Sequence, residues 1–70
     1  MITSVEINNW FTYHPPKADQ PVRYELIREK AKELATVIIE NTPPSADQTA
    51  SIRLLRECVF TANAAIACGE

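Results

Sequence analysis

Histidine occurs once in this chain, glycine once and cysteine twice, and each scarcity closes off a class of function. A single histidine, His14, with no Cys-x-x-Cys pair leaves no donor set for a metal. One glycine cannot build a phosphate-cradling loop, and no nucleophile elbow is present. Tyr13 and His14 are adjacent on what reads as an extended segment, so their side chains point apart and make a poor acid–base pair. Glu25, Glu29 and Glu33 share a helix face, but they read as a solvated face rather than as paired catalytic acids. The expectation is a protein that is not an enzyme and carries neither metal nor cofactor.

Basic residues are scarce too. Seven Lys and Arg stand against nine Asp and Glu, a net charge of −2, which argues against long nucleic acid as a partner. A compact anion needing only a few cations remains open. No apolar run reaches membrane-spanning length. No charged-then-apolar leader opens the sequence, so a reducing cytosol is the expected compartment. Cys58 and Cys68 lie ten positions apart on an expected helix, about 15 Å along its axis, too far to bridge.

What is there is small and apolar. Seventy residues, 46% of them hydrophobic, make one domain at most. A chain of this length buries only about 60% of the surface that its unfolded form exposes. Small domains make up the deficit with disulfides, a metal or partner subunits. With the first two excluded, self-assembly is the expectation.

Prolines divide the chain at Pro15-Pro16, Pro21 and Pro43-Pro44. Residues 19–41 read as a helix. Asp19 or Gln20 can start it, Pro21 is tolerated in the first turn, and Asn41 with the following prolines stops it. Tyr24, Ile27, Ala31, Leu34 and Ile38 form its apolar stripe, widened by Ala35 and Ile39. Residues 45–68 read as a second helix. Ser45 and Gln48 form a capping box, Asp47 complements the positive helix end, and Gly69 lies just past the last turn. Its main stripe is Ile52, Leu55, Val59, Ala62 and Ile66. The short Thr-Pro-Pro-Ser turn makes the two helices pack antiparallel.

A further stripe on the second helix, Leu54, Cys58, Ala65 and Cys68, with Phe60, Ala64 and Ala67 elsewhere, exceeds what one partner helix can cover. Other copies of the chain are the expected cover; the alternative is an alanine-rich helix left in water. Residues 1–17 form an N-terminal arm or short helix, where Ser4 with Glu6 can nucleate a turn. The arm holds most of the aromatics and is expected to lie across the hairpin or a neighbouring subunit. The predicted fold class is all-α: an antiparallel two-helix hairpin with a short N-terminal arm or helix, assembling into a compact homo-oligomer.

Flat bases are held by stacking on aromatic rings, with Lys or Arg on the phosphates. Tyr13, beside His14 and Lys17, suits the stacking role; the competing reading has its ring capping the core edge. Trp10 and Phe11 read as anchors of the arm. Arg28 with Lys32, and Arg53 with Arg56, are cation pairs at helical spacing whose mutual repulsion a bound anion would offset. Ordinary ion pairs, Glu25–Arg28, Glu29–Lys32 and Arg53–Glu57, account for the same residues equally well.

The runs Trp10-Phe11-Thr12-Tyr13-His14-Pro15-Pro16, Ala46-Asp47-Gln48 and Thr61-Ala62-Asn63-Ala64-Ala65-Ile66-Ala67 resemble the phage anti-CBASS cyclic-nucleotide sponges. The hairpin domain of that family is shared with anti-Thoeris sponges. The resemblance spans nearly the whole chain and implies a compact hexamer that sequesters cyclic di- and trinucleotide immune signals in the cytoplasm of an infected bacterial host. It implies a base-stacking tyrosine just before the first long helix, which Tyr13 matches, with His14 beside it. It implies a basic residue on that helix for the phosphates, which Arg28 matches, with Lys30 or Lys32 as alternatives. Some members hold cyclic trinucleotides near a threefold axis with arginine and hydroxyl side chains, which Arg53 with Ser51 or Thr49 would match. Larger members of the family have more chain than this one. The rival reading is a structural hairpin that docks a host protein through its apolar second helix.

Overall fold

The computed structural model describes all 70 residues as three α-helices and no strand: α1 (Ser4–Trp10), α2 (Gln20–Asn41) and α3 (Ala46–Gly69). The arm is thus a two-turn helix followed by a turn and an extended run. Its cap is Thr3. The Glu6 amide donates to Thr3 Oγ1 and the Thr3 amide donates to Glu6 Oε2, each at 3.2 Å, a complete capping box.

Asp19 is the N-cap residue of α2, and Pro21 falls in the first turn, where its missing N–H leaves no partner wanting. At the other end Asn41 Nδ2 and Thr42 Oγ1 donate to the carbonyls of Val37 and Ile38, both at 2.7 Å. The Ile38 carbonyl is one of the last four of the helix, which have no partner within it. Ser45 Oγ accepts the Gln48 amide at 3.1 Å, but the capping box expected here is only half formed. The Gln48 side chain turns outward and donates to the Thr42 carbonyl and hydroxyl, both at 3.1 Å. It ties the end of α2 to the start of α3 across the turn. Gly69 is the last residue of α3 rather than lying beyond it, with Glu70 as the C-cap.

The two long helices pack along one seam. Tyr24, Ile27, Ala31, Ala35 and Ile38 of α2 face Ile52, Leu55, Val59, Ala62 and Ile66 of α3, and all ten are half-buried. Leu34, expected in the seam, is 48% exposed: α2 turns the small Ala35 toward α3 instead and leaves the larger residue outside. The first helix lies on the end of α3, where Asn9 Nδ2 donates to the Cys68 carbonyl at 2.9 Å.

This arrangement is a slab with extents 43 × 31 × 14 Å. Its thickness is little more than one helix, about 10–12 Å with side chains. A single layer has no interior, and no apolar residue is fully buried. The accessible surface is 5718 Å², against about 4,400 Å² for a compact monomer of this mass. The radius of gyration is 15.2 Å, against about 11 Å for a compact chain of this length.

Candidate functional site

The segment joining α1 to α2 is short and well tied. Phe11 ends α1, its amide donating to the Ile7 carbonyl at 3.0 Å, and the Thr12 hydroxyl donates to the Asn8 carbonyl. His14 Nε2 lies 2.6 Å from the Asn9 carbonyl oxygen, which accepts its hydrogen. Pro15 and Pro16 carry the chain onward to Ala18, whose φ of 51° lets it turn into α2. Between the hydrogen-bonded residues Thr12 and His14, Tyr13 is 79% exposed and its hydroxyl makes no hydrogen bond within the chain. It does not cap the core edge. Phe11, expected as an anchor, is 83% exposed; Trp10 is 50% exposed and borders one concavity with Thr61, Ala64 and Ala65 of α3.

The three candidate cations of α2 separate by helix phase. Arg28 and Lys32 are one turn apart and share a face, while Lys30 lies about 200° from Arg28 around the axis. Lys30 is paired with Glu33 at 3.3 Å and sits at the edge of an apolar groove with Leu26, Leu34 and Cys58. Lys32 lies on the polar side with Glu29, Glu33 and Thr36. None of the three ion pairs weighed from the sequence forms. The only ion pairs are Arg23 with Asp19 and with Glu70, and Lys30 with Glu33. Arg28, Lys32 and Arg53 are therefore without carboxylate partners. Arg56 has its guanidinium 5.5 Å from the centre of the Phe60 ring, a cation–π contact.

On α3, Thr49 and Arg53 are exposed and one turn apart, so they share a face. Ser51 is half-buried, and its hydroxyl donates to the Gln48 carbonyl at 2.8 Å. Of the two hydroxyls considered beside Arg53, Thr49 is the one on the same face.

Sequence reasoning missed Gln20, Arg23 and Glu70. Gln20 is the one buried residue of the protomer, 4% exposed. Arg23 makes a two-pronged pair with Glu70, Nη1 to Oε2 at 2.7 Å and Nη2 to Oε1 at 2.5 Å. The hydrogen bonds of Arg23, then that of Gln20, hold the Glu70 carboxyl down to about 2. The same pair raises the Arg23 guanidinium further above its ordinary value.

Tyr13 sits at the open end of the hairpin, and Arg28 lies about 12 Å along α2 from the start of that helix. None of the five main concavities of the protomer is lined by either residue. One protomer offers a flat ring and unpaired cations on its outside, with no enclosure around them.

The profile of the Acb2/Tad1 hairpin domain matches residues 3–67. The chain belongs to the Acb2/Tad1 hairpin family. That family is the anti-CBASS and anti-Thoeris sponge domain, in agreement with the resemblance seen in the aromatic and alanine-rich runs. The matched Acb2/Tad1 region includes Tyr13, Arg28 and Arg53 and stops short of Glu70. Neither a curated protein nor a solved structure matches the chain.

Proposed function

We propose that this Acb2/Tad1 hairpin is a non-catalytic sponge that binds and sequesters cyclic dinucleotides, and that its ligand site is completed between copies of the chain. The observation that carries the reading is Tyr13: a tyrosine ring 79% exposed on a segment whose neighbouring side chains are fixed. A stacked base gains about 1–3 kcal/mol from such a ring. Arg28, free of carboxylates, supplies the charge for the phosphodiesters, with Lys32 on the same face and His14 beside the ring. Lys30, already paired, has the weaker claim. Arg53 with Thr49 is the corresponding proposal for a cyclic trinucleotide.

The surface in excess of a compact monomer is about 1,300 Å², and a standard interface takes about 800 Å² from each partner. That excess suits contact with more than one neighbour, as in the proposed hexamer. An assembly also solves the charge problem, since a junction gathers cations from two chains of net charge −2 around one small anion. Acting by sequestration, in the cytoplasm of an infected bacterium, the protein needs affinity and no turnover.

Calorimetric titration against a panel of cyclic dinucleotides tests the reading. Tight, saturable binding is expected, with the ligand recovered intact after the complex is denatured. Tyr13→Ala should weaken binding by about 1–3 kcal/mol with the assembly preserved. Unchanged affinity in that variant removes Tyr13 from the site, and cleaved ligand would make the protein an enzyme.

A further inference from the structure

The buried point of this protomer is polar, and it lies at the root of the segment that carries Tyr13. Gln20 Oε1 accepts the Lys17 amide at 3.2 Å, and Gln20 Nε2 donates to the Ile66 carbonyl at 3.5 Å and to Glu70 Oε1 at 3.2 Å. Glu70 in turn takes both prongs of the Arg23 guanidinium, and its carbonyl accepts Lys17 Nζ at 3.4 Å. Arg23 also reaches Asp19 at 3.2 Å. The 13–19 segment, the first turn of α2 and the end of α3 are thereby joined at one place. A second strut runs from His14 through the Asn9 backbone and side chain to the Cys68 carbonyl.

A segment of this length does not order itself for nothing. Fixing backbone dihedrals costs conformational entropy, and for several residues that cost is comparable with what one stacked base returns. A ring on a loose loop would spend its stacking energy on ordering the loop. A ring on a loop already fixed from behind keeps it for the ligand, which is the logic of preorganisation.

We infer that Gln20 and Glu70 are positioning residues for the Tyr13 ring, holding its segment in the binding geometry without touching the ligand. The inference rests on the stacking role proposed for Tyr13. Glu70 lies beyond the residues matched by the family profile. The proposal also fixes the sign of an otherwise ambiguous effect. Removing the Glu70 charge takes a negative group away from an anionic ligand, so a purely electrostatic role makes Glu70→Gln bind tighter. A positioning role makes it bind more weakly.

The test is a double-mutant cycle on the full chain, with cyclic GMP–AMP as the calorimetric probe. Glu70→Gln is expected to weaken binding about tenfold while circular dichroism and sedimentation show the same helix content and mass. In the Tyr13→Ala background the same substitution should change affinity by less than about twofold, because neighbours that act through one another are non-additive. Glu70→Asp, which keeps the charge, should recover part of the loss. Equal losses in both backgrounds, or tighter binding by Glu70→Gln, overturn the inference and leave the stacking role standing. If Tyr13→Ala binds as the unaltered protein does, the stacking role fails and the inference falls with it. Heteronuclear NOE values for Tyr13, His14 and Lys17 of the ligand-free protein give a reading independent of any variant. Values as high as those of α2 are expected, and values typical of a mobile loop overturn the positioning role.

Discussion

Glu70 titrates far from its ordinary range because Arg23, and after it Gln20, hydrogen-bond its charged form; the carboxyl is lowered from 4.5 to about 2. A depressed carboxyl contributes stability above its unfolded value and loses that contribution as pH falls toward its folded one. The stability advantage of the unaltered protein over Glu70→Gln should therefore be constant above pH 4.5 and shrink steadily toward pH 2, as followed by acid titration of helicity. An advantage unchanged at pH 2 would show that the Arg23 pair is absent in solution. The cations give a second residue-scale prediction. Arg28→Ala should weaken cyclic dinucleotide binding by about 1.5–3 kcal/mol, the range for a hydrogen bond to a charged group, and reduce its sensitivity to salt. Lys30→Ala, on the opposite face and paired with Glu33, should stay within about twofold of the unaltered protein when measured in the same calorimeter. The sequence named Arg28, Lys30 and Lys32 together, and helix phase with the observed pairing separates them. It gave no hint of Gln20, because a buried polar hub joins residues 46 and 50 positions apart and leaves no periodic trace.

Among the elements, α3 was the most legible, since all five residues of its main stripe lie in the seam. In α2 the stripe misplaced Leu34, because i+3 and i+4 from Ala31 are both helical neighbours and only packing against α3 chooses between them. The caps show the same division. Ser45 caps α3 as its position and chemistry imply, so Ser45→Ala should lower thermal stability by about 1 kcal/mol, read from melting curves. No loss would mean that the amide of Gln48 finds water instead. The other half of the expected box failed for a tertiary reason: the extended Thr42 offers the Gln48 amide a carbonyl and a hydroxyl together. At α1 the sequence placed a turn at Ser4 and Glu6 but named no cap; Thr3 takes that role because the box requires its acid three positions on, and Glu6 fits Thr3.

The whole molecule is one helix thick and lacks a buried apolar residue. Most of what its sequence spends on hydrophobic side chains therefore remains on the outside. Leu54 is 64% exposed on the face of α3 turned away from the seam. Leu54→Glu should break the proposed assembly by burying an unpaired charge, and sedimentation of that variant at an unaltered oligomer mass would place the interface elsewhere. The same surface explains why the ligand site was only half legible. A single sequence shows the ring and the cations of one copy, while on the proposed reading the enclosure belongs to a junction between copies. The central claim is that binding and assembly are one property. Native mass spectrometry with cyclic GMP–AMP tests it most directly. The account predicts a homo-oligomer, with a hexamer the expected stoichiometry, that retains intact ligand. A ligand-free species of 7.8 kDa at working concentrations would contradict it and favour a hairpin that docks a different protein.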